Sequence, residues 1–337
     1  MSGALTPPDP TQRVMELLAG KWVASALCTA VTLGVVDALA ERPATPLELA
    51  DQLRCDGAAL LRLLDVLVAE QVLAFGPGDT YALTPSGEML TQQHLGPLAR
   101  FVGSPSQWAP WADLGYSVQT GRAAFEHTHG VDLFGYLASH PSESRVYDHA
   151  VDAFTRHEAS ALLQAYDFSA VRRVVDVGGG RGTLLVELLR HWPRLQGELV
   201  DLANVVEGAR ARLVDEFGPR CRVVAADFRH AVPAGADLYV IKRVLHNWDD
   251  AGALEILRTC AQAMPAQGRL LIAEGVLLPP THRDVVRLLD LEMLVLTGGG
   301  RERRKPQFRR LLREAGLRLV ETRPLAGTTK LMIAGLR

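Results

Sequence analysis

The stretch Val174–Gly182, VVDVGGGRG, decides the fold class of this chain. Its β-branched run ends in a cluster of glycines, and the apolar residues of 183–189 then recur with helical spacing. This order predicts a strand, a tight turn and a helix. Glycines at such a turn let the backbone fold sharply, and they let a ligand approach main-chain N–H groups that a Cβ atom would shield.

Acidic residues follow the glycine cluster at the distance expected of a nucleoside site. Asp201 lies 23 residues after Gly178, at the end of a second apolar run. A carboxylate about 20 residues past such a loop is placed to accept hydrogen bonds from ribose hydroxyls. A third run ends at Asp227-Phe228, and a carboxylate beside an aromatic ring suits an adenine. The glycine loop alone also fits a purely structural turn, but the acid at this distance favours a nucleoside ligand.

S-adenosylmethionine (AdoMet) fits this pattern better than a dinucleotide. Sites for NAD or FAD place a pyrophosphate at the helix N-terminus and usually show G-x-G-x-x-G, whereas Thr183 occupies the sixth position here. AdoMet has no phosphate, so these features are not needed. The candidate cofactor-binding residues are Gly178, Gly180, Asp201, Asp227 and Phe228.

The block 237–250, DLYVIKRVLHNWDD, resembles the signature of AdoMet-dependent small-molecule O-methyltransferases of the caffeate, hydroxyindole and phenazine type, including bacterial polyketide-tailoring members. Further matches lie at 268–274, 290–294 and 299–303, in family order, so the resemblance covers nearly the whole chain. Two positions depart from the family pattern: Ala203 replaces a usual proline, and Asn247 stands where plant members have Asp. The resemblance implies a Rossmann-like catalytic domain, AdoMet as cofactor, a small aromatic substrate and a homodimer formed through the N-terminal helices.

The same resemblance assigns roles to individual residues. It makes His246 the general base and makes Glu274 and Glu302 its acidic partners. A phenol, with a pKa near 10, is almost entirely protonated at pH 7, and a histidine near pKa 6.5 can accept its proton. Lys242 and Trp248 are expected to contact the adenosyl group, although a lysine at a strand end is equally typical of a solvated surface. The predicted substrate-pocket residues are Trp108, Phe154, Asn247, Asp290 and Met293.

Length and pattern predict the domain organisation. A chain of 337 residues, 48% apolar, usually holds two domains. We expect an N-terminal winged-helix dimerisation domain at 1–97, a helical connector lining the substrate pocket at 98–170 and a Rossmann-like AdoMet-binding domain at 171–337. The last segment is expected to be α/β, with a doubly wound parallel sheet and a final antiparallel hairpin. Its predicted strands lie near 172–177, 197–201, 221–226, 237–243, 269–275, 317–323 and 330–335.

Other classes of protein are disfavoured. A winged helix invites a DNA-binding regulator, but residues 45–71 contain five acids against two bases, and phosphate contacts need clustered Lys and Arg. The uncharged run Trp22–Val36 is shorter than the roughly 20 residues that span a bilayer, which favours a core or subunit-interface helix. The four cysteines are scattered and no secretory signal is evident, so a cytoplasmic protein is expected, with no nucleic-acid or membrane partner.

Two questions about the chemistry stay open in the sequence. No carboxylate and histidine cluster appears at metal-ligand spacing, so no metal is expected. Some relatives with this fold and cofactor pocket catalyse a different reaction, so N-methylation, decarboxylation or hydroxylation are the alternatives to O-methylation.

Overall fold

The computed structural model describes residues 9–325, 327 and 329–337, which form two compact units. The first unit comprises the chain up to Trp108 together with His149–Ala153, and the second comprises Ala109–Asp148 and Phe154–Arg337. The division into three segments at residues 97 and 170 stays a prediction.

Helices and one hairpin build the first unit. A capping box is present at the start of the third helix, where Thr45 and Glu48 each accept a backbone N–H of the other. The two short strands pair antiparallel and form a hairpin. The elements are α1 (Pro10–Leu33), α2 (Val35–Glu41), α3 (Pro46–Leu53), α4 (Gly57–Ala69), β1 (Leu73–Gly76), β2 (Thr80–Leu83), α5 (Pro85–Glu88), α6 (Gly96–Val102) and the beginning of α7 (Pro105–Ala112).

The uncharged run Trp22–Val36 is divided between two helices, because Gly34 adopts φ +84° and ends α1. The end of α1 and the start of α2 are buried, whereas the first half of α1 exposes large apolar side chains. The exposed large apolar residues from the start of α1 to its middle are Val14, Met15, Leu17, Leu18 and Trp22. Within the described residues, α1 is the one helix long and apolar enough to cross a membrane. These properties alone are weak evidence for a membrane-spanning segment, because core helices and signal sequences share them.

A seven-stranded sheet organises the second unit, in the order β5-β4-β3-β6-β7-β9-β8. The first five strands in this order are parallel, and β9 pairs antiparallel with both β7 and β8, so the predicted topology is confirmed. The strands are β3 (Arg173–Val177), β4 (Gln196–Asp201), β5 (Cys221–Ala225), β6 (Leu238–Lys242), β7 (Arg269–Gly275), β8 (Leu317–Pro324) and β9 (Thr329–Leu336).

Helices cover both faces of this sheet, so successive strand residues are buried on opposite sides. Val175 and Tyr239 pack in one apolar cluster with residues of α14 and α16, while Val174 and Val240 pack in another with α12 and α13. The helices are α8 (Leu114–Thr120), α9 (Ala124–His129), α10 (Leu133–Ser139), α11 (Pro141–Ala165, shared with the first unit), α12 (Thr183–His191), α13 (Ala203–Phe217), α14 (Asp250–Ala263), α15 (Val286–Leu296) and α16 (Lys305–Glu314).

Candidate active site

The glycine loop directly follows β3, at the carboxyl edge of the parallel strands. Gly178, Gly180 and Gly182 have φ values of +67°, +59° and +74°, which L-amino acids rarely adopt. A Cβ atom on Gly178 would lie 2.7 Å from Val244 Cγ2, and one on Gly179 would collide with the Asp176 carboxylate. At Gly180, by contrast, no described atom lies within 4 Å of the Cβ position. The loop therefore packs tightly on one side and leaves the Gly180 backbone accessible.

Two acids lie close to this loop. Asp201 is the last residue of β4, and its carboxylate accepts N–H groups from Gly180 at 2.9 Å and from Leu202 at 2.7 Å. Burial raises the pKa of Asp201 despite these bonds. Burial also raises the pKa of Asp176 to about 7, with the Lys242 charge opposing the shift and Asp201 adding to it. Asp176 Oδ2 lacks a hydrogen-bond partner among the described residues. Asp176 was not among the predicted site residues, although an acid inside an otherwise apolar strand is a sequence signal that could have identified it.

The remaining adenosyl candidates lie after β5 and β6. Asp227 pairs with Arg229, at 2.6 Å between Oδ2 and Nη2, and hydrogen bonds from that arginine lower the pKa of Asp227. The Arg229 guanidinium lies 4.8 Å from the centroid of the Trp248 ring. Phe228 is buried in the apolar core, with its ring edge 3.4 Å from the Cβ position of Gly178. Asp227 and Trp248 thus share one arginine, while Phe228 packs behind the glycine loop.

The turn that presents His246 is held on both sides. It follows β6 and contains one 3-10 turn, Leu245–Asn247. Glu274 Oε1 accepts the N–H groups of Val244 at 3.0 Å and Leu245 at 2.8 Å. The fully buried Arg303 donates to the carbonyls of Leu245 and Trp248, both at 2.7 Å. The backbone around His246 is therefore fixed by one buried acid and one buried arginine.

The ring of His246 has Glu302 as its hydrogen-bond partner. Nδ1 lies 3.0 Å from Glu302 Oε1 and 3.9 Å from Glu274 Oε2. Burial acts to raise the pKa of Glu302, but the hydrogen bond with His246 and the charges of His246, Arg243 and Arg303 together lower it. An ionised carboxylate only accepts hydrogen bonds, so Nδ1 carries the proton in the neutral ring and Nε2 is left as a proton acceptor.

Glu274 differs from Glu302 in its task. Burial raises its pKa, with His246 opposing the shift, and the contacts of its Oε1 are with the backbone. We therefore interpret Glu302 as the partner of the imidazole and Glu274 as the support of the turn.

The fold also creates a cluster that the sequence spacing does not show. Ligand atoms of His246, Glu274 and Glu302 lie within 4.8 Å of one another, although each residue is 28 positions from the next in the chain. Imidazole and carboxylate groups at such distances can hold a divalent metal. The expectation that no such cluster exists is corrected, because chain spacing does not report distances across a sheet. The absence of a metal requirement stays a prediction.

A buried ionic network adjoins the turn, and two of its members were missed in the sequence. Lys242 Nζ lies 3.5 Å from Glu158 Oε2, and burial lowers the pKa of this lysine. Glu158, on α11, also accepts from Thr329 Oγ1 at 2.5 Å and from Arg243 Nη2 at 3.2 Å. A single acid on a helix and an arginine beside a strand show no pattern that would have identified them.

The predicted pocket residues have different contacts in the structure. The Phe154 ring centroid is 4.9 Å from the Arg243 guanidinium, and Asn247 Nδ2 lies 3.5 Å from the Arg243 carbonyl. Asp290 Oδ1 accepts the Glu302 N–H at 2.9 Å. Met293 is buried on α15, three residues after Asp290. Trp108 belongs to the first unit, where its ring centroid is 5.8 Å from Lys21 Nζ.

Comparison with known proteins identifies the family. The O-methyltransferase dimerisation domain matches residues 15–93, and the O-methyltransferase domain matches residues 111–318. The chain belongs to the O-methyltransferase family. This O-methyltransferase is 39% identical over 336 residues to the 3-amino-4-hydroxybenzoate 4-O-methyltransferase of Streptomyces cremeus, covering 98% of this chain and 92% of that protein. It is 38% identical over 317 residues to the phenazine O-methyltransferase of Lysobacter antibioticus, covering 93% and 92%.

A solved structure supports the cofactor. The O-methyltransferase superposes on human N-acetylserotonin methyltransferase in complex with AdoMet with a TM-score of 0.87 and 25% identity, covering 100% of this chain and 99% of that one. The expected fold class, enzyme class and AdoMet cofactor are thereby confirmed.

Proposed function

We propose that this O-methyltransferase transfers the methyl group of AdoMet to a hydroxyl of an aromatic secondary metabolite, with His246 as general base. The observation that supports this most directly is the 3.0 Å contact between His246 Nδ1 and Glu302, which leaves Nε2 free of a proton in the neutral ring. The names of the two curated relatives, which specify a phenazine and 3-amino-4-hydroxybenzoate, favour an aromatic acceptor.

The residues at the strand ends suit AdoMet. The open Cβ position at Gly180 allows close approach to the main chain, and the carboxylate of Asp201 is the hydrogen-bond acceptor expected for ribose hydroxyls. Asp176 Oδ2, buried without a partner among the described residues, offers an acceptor to a cationic ligand. When bound, AdoMet supplies an activated methyl group on a sulfonium. We assign Gly178, Gly180, Asp201, Asp227, Phe228, Lys242 and Trp248 to the cofactor site.

The protein's chemical task is then to orient the acceptor hydroxyl and remove its proton. Nε2 of His246 takes the proton as the hydroxyl oxygen becomes nucleophilic, and the Glu302 carboxylate stabilises the imidazolium that forms. Glu274 and Arg303 keep the turn in place while this charge develops. Base catalysis of this kind contributes about 10²–10⁴-fold to turnover. Phe154, Asn247, Asp290 and Met293 are proposed to contact the substrate, and Trp108, in the first unit, stays a predicted substrate residue.

The assembly proposed is a homodimer formed through the N-terminal helices. From Met15 to Trp22, the exposed apolar row on α1 lies within the matched dimerisation domain and gives a surface that a second copy would cover. We retain the winged-helix description of α3, α4 and the hairpin, a cytoplasmic location, and the absence of nucleic-acid and membrane partners as parts of this proposal.

The test is AdoMet turnover with a pool of hydroxylated aromatic metabolites, read by mass spectrometry, for the wild type and His246→Ala. We expect a product heavier by one methylene and a loss of kcat of about 10²–10⁴-fold in the variant. AdoMet affinity, measured by calorimetry, should be unchanged. The exposed His94 gives a matched control, since His94→Ala should keep wild-type turnover.

Two outcomes would contradict the proposal. Wild-type turnover in His246→Ala would refute the base assignment. If the substrate is converted in the presence of AdoMet but the product lacks a new O-methyl group, the result would favour one of the alternative reactions.

A further inference from the structure

Arg243 is the residue between the end of β6 and the turn that presents His246. Its backbone adopts φ +55°, a left-handed conformation that non-glycine residues rarely take and that persists only where surrounding contacts determine it. Its N–H donates to the Ala273 carbonyl at 3.1 Å, and its side chain is only 11% exposed. Packing alone does not explain why a buried arginine adopts a strained backbone conformation at this point.

The guanidinium of Arg243 contacts α11, β9 and the segment between α15 and α16. Nη2 donates to Glu158 Oε1 on α11 at 3.2 Å and to Thr329 Oγ1 on β9 at 2.7 Å. Nη1 lies 3.7 Å from Glu302 Oε1, the oxygen that also faces His246 Nδ1. The ring of Phe154 lies against the guanidinium at 4.9 Å. Arg243 thus connects Glu158 on α11 to Glu302, the acid that orients His246.

The charges around Glu302 show why this cation matters. Glu274 on β7 and Asp290 on α15 are acids that face it, and His246, Arg243 and Arg303 are the basic groups. Arg303 is engaged with Asp250 and two carbonyls of the turn. Arg243 also pairs with Glu158, which in turn pairs with Lys242, and the charge of Asp176 acts on Lys242. Arg243 therefore contacts Glu302 while Glu158 and Thr329 hold it in place, whereas Arg303 supports the backbone of the turn.

We propose that Arg243 is a positioning residue for methyl transfer, which, anchored by Glu158 and Thr329, holds Glu302 Oε1 against His246 Nδ1. The inference rests on the proposed function of His246. Arg243 acts through Glu302 and does not contact the reacting atoms itself. Its removal should therefore lower kcat while leaving the KM for AdoMet and for substrate nearly unchanged.

The experiment is a double-mutant cycle with Arg243→Gln and Glu302→Gln, measured as kcat and KM with the substrate found above. Alone, Arg243→Gln should lower kcat about tenfold or more, and in the Glu302→Gln background it should have little further effect, because interacting residues are not additive. Arg243→Lys keeps the charge and should recover part of the loss. Arg222→Gln, at a side chain 73% exposed, is the matched control and should behave as the wild type.

The outcomes separate the two proposals. If His246→Ala lowers kcat as expected but Arg243 and Glu302 act additively, the role of Arg243 is refuted and the base assignment stands. If His246→Ala keeps wild-type turnover, the base assignment itself fails.

Should Arg243→Gln unfold, as a thermal scan would show, Glu158→Gln takes its place in the cycle. Equal loss in the lysine and glutamine variants would overturn the role of the charge.

Discussion

Replacing Glu274 tests the division of tasks between the two buried acids. Glu274→Ala removes the oxygen that accepts two backbone N–H groups, those of Val244 and Leu245. Both residues are buried, so water cannot replace the lost acceptor without opening the structure. Glu274→Gln keeps a carbonyl oxygen for these two donors, removes the charge and replaces the second oxygen with an NH2 group.

The size of the effect follows from the two bonds. A buried donor left without a partner costs about 1–3 kcal/mol, so the alanine variant should lose about 2–6 kcal/mol of unfolding free energy. At about 2–4 °C per kcal/mol for a unit of roughly this size, Tm should fall by about 4–24 °C. The glutamine variant should stay within about 1 kcal/mol of the wild type, because the weaker neutral hydrogen bonds are offset by the smaller cost of burying an amide.

The assay is scanning calorimetry without AdoMet, since a bound ligand would shift Tm by mass action. A wild-type Tm in Glu274→Ala would refute the view that this acid supports the turn. An equally large loss in both variants would show that the charge of Glu274, and not its position as an acceptor, stabilises the site.

Four further outcomes are expected. Because the folded pKa of Asp176 is about 7 and that of an unfolded aspartate about 4, the folded state keeps a proton that the unfolded state loses between those values. Between pH 5 and 8 the unfolding free energy, measured by urea denaturation, should therefore fall by about 2–3 kcal/mol more in the wild type than in Asp176→Asn. If the unfolding free energy of both proteins changes equally with pH, the burial argument is contradicted. Gly180→Ala should weaken AdoMet binding in calorimetry and lower stability only by the cost of its left-handed φ, about 1–2 kcal/mol, whereas Gly179→Ala should lower Tm further, because only the second Cβ collides with protein. Turnover should be unaffected by EDTA, and a loss restored by magnesium would show that His246, Glu274 and Glu302 hold a metal. Light scattering should show a dimer for the wild type and a monomer for Leu18→Asp, whereas a monomeric wild type would exclude the proposed interface.

Local sequence determined a large part of this protein. The strand, glycine turn and helix around Val174–Gly182 are readable because each depends on the spacing of near neighbours. Asp201 and Glu274 lie at or near the ends of the strands predicted at 197–201 and 269–275, and parallel strands bring their carboxyl ends to the same edge of a sheet. The family motifs added the identity of the base, which composition and spacing alone leave open.

Tertiary structure decided how those residues are paired. The sequence placed Glu274 and Glu302 beside His246 but could not distinguish the acid that contacts the ring from the acid that holds the turn. It showed nothing of Glu158 and Arg243, because their contact joins residues 85 positions apart on different elements. The physical reason is that periodicity reports which face a side chain takes on its own helix or strand. Hydrogen bonds between elements depend on ångström-scale distances, which only the packed sheet and its helices establish.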